Sequence, residues 1–265
     1  VVSVFYRIAL AGLIMLAALA ALRRLRLPAR VDQPFILAQA LCLFCFNFIC
    51  FYNAAGYLPS GLASVIFSLS TVFNAINARI FFGERVAART LIAGAIGVAG
   101  VALLFGRDLL VDLDERALKG VAFAMAGTMF FSLGNMASRR NSLAGVRTEV
   151  ANGWGMVYGA LVLFVVALAT GAPFVAPPDA TYTAALLYLT VFGSVVAFMT
   201  YLLMVARMGS AKAAYSTVFF PIVALAISTV YEGYQWSPLS IAGLALTLLG
   251  NVVMFAPARM IRRRA

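Results

Sequence analysis

The sequence predicts an all-α protein that crosses a membrane many times. Three observations carry this reading. The chain is 64% apolar and 11% charged, whereas a soluble domain is roughly a quarter charged. Apolar stretches of about 20 residues, the length a helix needs to cross a bilayer, recur from one end to the other. The short alternating segments of a membrane barrel are absent, and only a helix or a closed barrel satisfies its own backbone amides in lipid.

Nine spans follow in order: 1–22, 34–57, 60–82, 90–106, 117–138, 150–170, 181–205, 211–231 and 238–256. The first carries Arg7 in its opening turns. The second holds all three cysteines, Cys42, Cys45 and Cys50. They read as small packing residues, because no fourth ligand completes a metal site. Gly94, Gly97 and Gly100 in the fourth span, and Gly155 and Gly159 in the sixth, permit close helix approach. Trp154 and Tyr158 read as an interface anchor. Pro221 interrupts the eighth span. The joins are short, and no stretch reads as a separate soluble domain.

The net charge is +11, yet the basic residues sit at span ends, so nucleic acid is not the expected partner; the lipid bilayer is. Fifteen of the 20 Lys and Arg residues fall in 23–33, 83–90, 139–149, 206–212 and 257–265. The alternate joins hold six of the nine acids. Cytoplasmic loops collect Lys and Arg, so the first set, with the C-terminus, is expected to be cytoplasmic.

The chain repeats itself. "FGERVAARTLIAGAIGVAGVALLF" at 82–105 returns as "YEGYQWSPLSIAGLALTLLGNVVMF" at 231–255. Glu84 matches Glu232, and Ile92–Gly94 matches Ile241–Gly243. The second copy has no arginine in its turn, because that turn faces the other side of the membrane. Inverted repeats are a recurrent architecture of secondary transporters. Inversion demands an odd number of spans per repeat. The second half shows five and the first only four. The expected architecture is therefore two inverted five-helix repeats, 1–106 and 117–265, in a ten-helix fold, with one helix ahead of Val1.

Several stretches carry a family resemblance. They are "YRIALAGLIMLAALAALRR", "FYNAAGYLPSGLASVIFSLS", "FFGERVAARTLIAGAIGVAGVALLF", "YLLMVARMGSAKAAYSTVFFPIVALAISTVYEG" and "LSIAGLALTLLGNVVMF". In content, order and spacing the chain resembles the drug/metabolite transporter superfamily, of the EamA-permease type. The resemblance implies ten helices in two inverted repeats around a central substrate cavity. It also implies export of small metabolites, often amino acids, from a bacterium through its inner membrane. The chain departs from the pattern in lacking the first helix. It also departs in placing Phe73 where Pro221 stands in the second copy.

Polar side chains between helices are costly unless they meet a partner or water. Ser70, Asn74 and Asn77 recur at i, i+4, i+7 and share one helix face. Thr128, Ser132 and Asn135 repeat that spacing. Asn47, Ser194, Tyr201, Tyr215 and Thr217 add to the expected lining. Pro221 lacks the amide that would bond the Thr217 carbonyl, which frees that carbonyl for the path. These residues are the expected substrate-binding set. Arg7, Glu84 and Glu232 are expected to brace or gate. Arg7, buried in a span, requires a partner, either Glu232 or a substrate carboxylate. Glu84 is expected to cap or brace its turn.

Histidine is absent, and no buried acid pair is apparent, so neither an enzyme nor a metal or other cofactor site is expected. No Asp or Glu lies well inside a span, which points to facilitative transport by alternating access rather than proton coupling. A neutral, hydrogen-bonding lining suits a zwitterion, so amino acids and related small metabolites are the expected cargo. The rivals are a drug or lipid exporter of the same superfamily and a non-transporting scaffold or receptor. A monomer is expected, with a dimer as the alternative.

Overall fold

A computed structural model describes residues 1–86, 88–104, 115–174, 179–213 and 220–255. Most of its described residues are helical, with no strand among them. The helices are α1 (Val2–Ala21), α2 (Gln33–Ala54), α3 (Ser60–Phe82), α4 (Ala88–Leu104), α5 (Glu115–Leu143), α6 (Thr148–Ala169), α7 (Ala180–Met208), α8 (Phe220–Tyr231) and α9 (Pro238–Phe255). Six of them, α1, α2, α3, α5, α6 and α7, are long and apolar enough to cross a membrane. Shorter apolar helices occupy the other three expected spans. The chain is an all-α, multi-pass membrane protein.

Local chemistry sets several boundaries. Pro34 stands in the first turn of α2, where a missing amide removes no helical bond. Gly83 ends α3 with φ 67°, a left-handed conformation that glycine adopts without strain. Asp179 caps α7, its carboxylate accepting the Tyr182 amide at 2.6 Å. The chief difference from expectation is α5, which runs to Leu143 rather than ending at 138. Its last turn is polar, yet it stays helical because its side chains find partners: Arg140 bonds Asp32 and Asn141 bonds Gln39.

Three helices are irregular. α2 and α7 each contain a π-helical segment, Leu41–Phe46 and Leu189–Val196. At the end of the first, the Asn47 amide bonds the Cys42 carbonyl five residues back. α3 breaks at Leu69, whose ψ of −9° and bond to the Ile66 carbonyl tighten the turn. Ser64, Ser68 and Thr71 bond carbonyls three residues back, at Gly61, Val65 and Ser68. Such bonds compete with the backbone ladder and bend helices.

The chain divides into two compact units, Val1–Tyr52 with Phe130–Ala213, and Asn53–Met129 with Ala214–Ala265. In the first unit α1 lies along α6, burying Val4, Ile8, Ala11, Met15 and Leu19. Gly12 approaches Val157, while Gly153 approaches Met15, Leu16 and Leu19, so the two helices run antiparallel. In the second unit α4 crosses α9 at backbone contact. A Cβ on Gly243 would lie 2.7 Å from the Gly100 carbonyl, and one on Gly250 would lie 2.8 Å from the Ala93 carbonyl. The outward faces stay apolar: Leu13, Leu161, Val165 and Phe192 are exposed, as a lipid-facing surface requires.

Candidate functional site

In the first unit the structure joins four of the expected site residues in two pairs that the sequence did not predict. Arg7 on α1 donates from Nε to Ser194 Oγ at 2.8 Å. Its guanidinium stands 4.9 Å from the centroid of the Phe48 ring, and the Tyr52 phenol also meets it. Asn135 on α5 donates from Nδ2 to the Tyr201 hydroxyl of α7 at 3.0 Å. The Phe131 ring lies 5.3 Å from Tyr201. Asn47 is buried at the C-terminal edge of the first π segment. Arg7, Asn47, Asn135 and Ser194 are all buried, so each polar group depends on partners rather than on bulk water.

In the second unit Ser70, Asn74 and Asn77 are buried on α3, as their spacing predicts. Asn77 Nδ2 stands 3.6 Å from the Met129 sulfur. Beside the break at Leu69, Thr71 Oγ1 donates to the Ser68 carbonyl at 3.1 Å and meets Asn251 Oδ1 at 3.3 Å. A cavity of ≈ 10 Å³ lies here, lined by Ser68, Thr71, Gly97, Thr247 and Asn251 among others. That is room for about one water. Pro221 is buried in α8. Tyr215 and Thr217 lie outside the described residues, so the expectation about the Thr217 carbonyl does too.

The two matched glutamates differ. Glu84 is exposed in the turn after Gly83. Glu232 clasps the start of α3: its carboxylate accepts the Ser60 amide at 2.9 Å and the Ser228 hydroxyl at 2.7 Å. Ser228 Oγ in turn accepts the Gly61 amide at 2.8 Å. A carboxylate at a helix N-terminus also meets the positive end of its dipole. Arg7 and Glu232 thus each have partners inside their own unit.

Hydrogen bonding from Ser60, with a further contribution from Ser228, holds the Glu232 carboxyl below the usual carboxylate range. The depressed folded value fixes the sign: the clasp stabilises above the ordinary pKa of about 4.3, and that contribution is lost as pH falls through the folded value. The thermal midpoint of the parent should exceed that of Glu232→Gln by a constant margin at neutral pH. The margin should shrink once the pH drops below the ordinary carboxylate range. A margin that grows on acidification would refute the clasp.

Sequence reasoning missed a second polar cluster in the first unit. Asn141 Nδ2 donates to Gln39 Oε1 at 3.0 Å. Arg140 Nη1 bonds Asp32 Oδ1 at 2.6 Å and stands 3.6 Å from the Phe35 ring centroid. Asn152 is fully buried, and neither of its amide atoms has a hydrogen-bond partner among the described residues. The signal was present. Ser138 and Asn141 continue the stripe of Thr128, Ser132 and Asn135 at helical spacing, past the point where the span was expected to end.

Known proteins give this geometry a setting. The chain spans about two thirds of the length of the curated relatives it matches. One is the "Probable terminal-alkyne amino-acid exporter" of Streptantibioticus cattleyicolor, 28% identical over 78% of this chain and 67% of the relative. A second is the "Probable amino-acid metabolite efflux pump" of Salmonella typhimurium, 24% identical over 77% of this chain and 71% of the relative. A third is the "Uncharacterized inner membrane transporter YedA" of Escherichia coli, 24% identical over 76% and 65%. A solved crystal structure shares the fold, with a TM-score of 0.72 and 21% identity over 98% of this chain and 88% of the other. The family described as "EamA-like transporter family" matches residues 1–106 and 118–256. With nearly its whole length matched in this way, the chain belongs to the EamA-like transporter family, and is a transporter rather than an enzyme.

Proposed function

We propose that the protein exports small metabolites, amino acids foremost, through a neutral polar chamber by facilitative alternating access. The proposed machinery is two inverted five-helix repeats, 1–106 and 117–265, with the C-terminus cytoplasmic. The observation that carries it is the direction of the helices that the repeats make equivalent. α1 and α6 are second spans of their repeats and run antiparallel, as the Gly12 and Gly153 contacts require. α3 and α8 are fourth spans: the start of one meets the end of the other at Ser60, Ser228 and Glu232. α4 and α9 are fifth spans, and Gly243 meets Gly100 while Gly250 meets Ala93. The third spans, α2 and α7, carry their π segments at matching positions, about 148 residues apart as Glu84 and Glu232 are. Repeats of opposite orientation supply the two alternative accesses of such transporters.

The cargo follows from side-chain chemistry. Asn47, Ser70, Asn74, Asn77, Asn135 and Ser194 are buried and uncharged. Such groups, with Tyr201, suit a zwitterion rather than a polyanion, which calls for several basic residues. Two of the relatives are named for amino-acid or amino-acid metabolite efflux. Tyr215, Thr217 and Pro221 complete the proposed lining.

Two measurements test the reading. Single cysteines at Gln235 and Arg85, in a background without Cys42, Cys45 and Cys50, should label from opposite sides of the membrane. Labelling from one side overturns the inversion. In proteoliposomes an amino-acid gradient should drive counterflow, whereas an imposed pH gradient should not produce uphill accumulation. Accumulation against a gradient would replace facilitation with proton coupling.

A further inference from the structure

Arg7 carries more than a brace needs. A guanidinium within a span is among the most costly side chains in a bilayer, and such residues face a partner or a water-filled path. The ion pairs Arg140–Asp32, Arg147–Glu149 and Lys119–Glu115 do not include it. The groups found against it among the described residues are uncharged: the Ser194 hydroxyl, the Tyr52 phenol and the Phe48 ring. Yet it is held firmly in place. Ser194 belongs to the π-helical segment of α7, and such segments recur at functional sites. Its neighbour Gly193 lets the guanidinium lie against the backbone, since a Cβ there would stand 3.0 Å from Nη2. Ser194 accepts from Nε, so its own hydroxyl hydrogen points elsewhere.

We propose that Arg7, with Ser194 and Tyr52, binds the carboxylate of the transported molecule. This inference rests on the amino-acid reading above and makes it specific. A guanidinium is planar and presents its donors as a fork that matches a carboxylate at two oxygens. The Ser194 and Tyr52 hydroxyls add donors beside it. A single fixed cation among neutral groups suits one carboxylate better than a phosphate ester, which carries more charge. Next to the cation stands an aromatic wall: Phe48 and Phe198 have centroids 6.0 Å apart, and Phe198 and Phe44 5.2 Å apart. That wall favours an amino acid with an apolar or aromatic side chain.

The test uses two probes of equal shape, L-phenylalanine and L-phenylalaninamide, in equilibrium binding to the purified protein. The parent should bind the acid about 10-fold or more tighter than the amide, the scale of one hydrogen-bonded charge pair. Arg7→Gln should bring the two within about 3-fold, by weakening the acid. Arg7→Lys, which keeps the charge but not the fork, should retain part of the preference. Size-exclusion profile and helical circular dichroism check that each variant is folded. The proposal is overturned if the parent shows no preference, or if Arg7→Gln weakens both probes alike, which is the mark of a helix brace. A preference that survives Arg7→Gln overturns it too. A parent that binds neither probe overturns the amino-acid reading along with it, whereas the Arg7 outcomes leave that reading standing.

Discussion

Replacing Gly243 with valine should destabilise the protein by about 3 kcal/mol, the upper end for overpacking. The obstacle is backbone. A Cβ at Gly243 meets the Gly100 carbonyl at 2.7 Å and the Leu104 amide nitrogen at 2.8 Å, and neither can turn aside as a side chain could. Lipid tails are as apolar as the helix surfaces, so helices in a bilayer associate through close packing rather than a hydrophobic driving force. Small residues at the α4–α9 crossing bring the backbones together, and a branched side chain would wedge them apart. Ala242 is the control. It neighbours Gly243 but is exposed, so Ala242→Val should change stability by less than about 0.5 kcal/mol, as surface substitutions usually do. The measurement is the thermal midpoint of detergent-purified variants, followed by size-exclusion. Equal midpoints for the two valine variants would show that the crossing tolerates separation.

The close approach, though not the helix that makes it, was legible in the sequence. Gly94, Gly97 and Gly100 stand at helical spacing, and the matched "IAG" of the second copy supplies Gly243 at the same register. Period alone also placed Ser70, Asn74 and Asn77 on one face, and the structure buries all three. The long apolar helices followed from length and composition. Irregularity did not. "LCLFCF" at 41–46 contains neither proline nor glycine, so nothing in it announces a π segment. Its widened turn accompanies the seating of Phe44 against Gly155 and Gly159, a fit made between distant stretches of chain.

Partners were the other hidden layer. Charge alone called for a partner to Arg7, either Glu232 or a substrate carboxylate; the bond from its Nε–H to Ser194, 187 residues away, was not foreseen. No periodicity encodes a contact of that separation. Gln39 and Asn152 each stand in an apolar run where a single amide reads as incidental. Only the packing of α2 against α5 joins Gln39 to Asn141, and only the burial of α6 encloses Asn152. The α5 boundary failed for a related reason. "SRRNSL" is a loop by composition, yet it is helical because its polar groups are bonded inside the unit.

Arg140 is the second site of large expected effect. Its Nη1 bonds Asp32 Oδ1 at 2.6 Å, with side-chain exposures of 29% and 11%, and its guanidinium lies 3.6 Å from the Phe35 ring centroid. Arg140→Met removes the cation and leaves a mostly buried carboxylate behind. Removing one partner of a fully buried pair costs about 3–5 kcal/mol. The partial exposure of Arg140 admits some water, so a loss of about 2–3 kcal/mol is expected here. Asp32→Asn should cost less, because the amide oxygen still accepts from Arg140 and the cation left behind is more exposed than the carboxylate, 29% against 11%. The double variant decides between the two sources of loss. If the penalty comes from the stranded charge, Asp32→Asn combined with Arg140→Met recovers much of the stability lost by Arg140→Met alone. If the two losses simply add, the contact is an exposed ion pair of little worth. The helical extension from Arg139 to Leu143 would then need another cause.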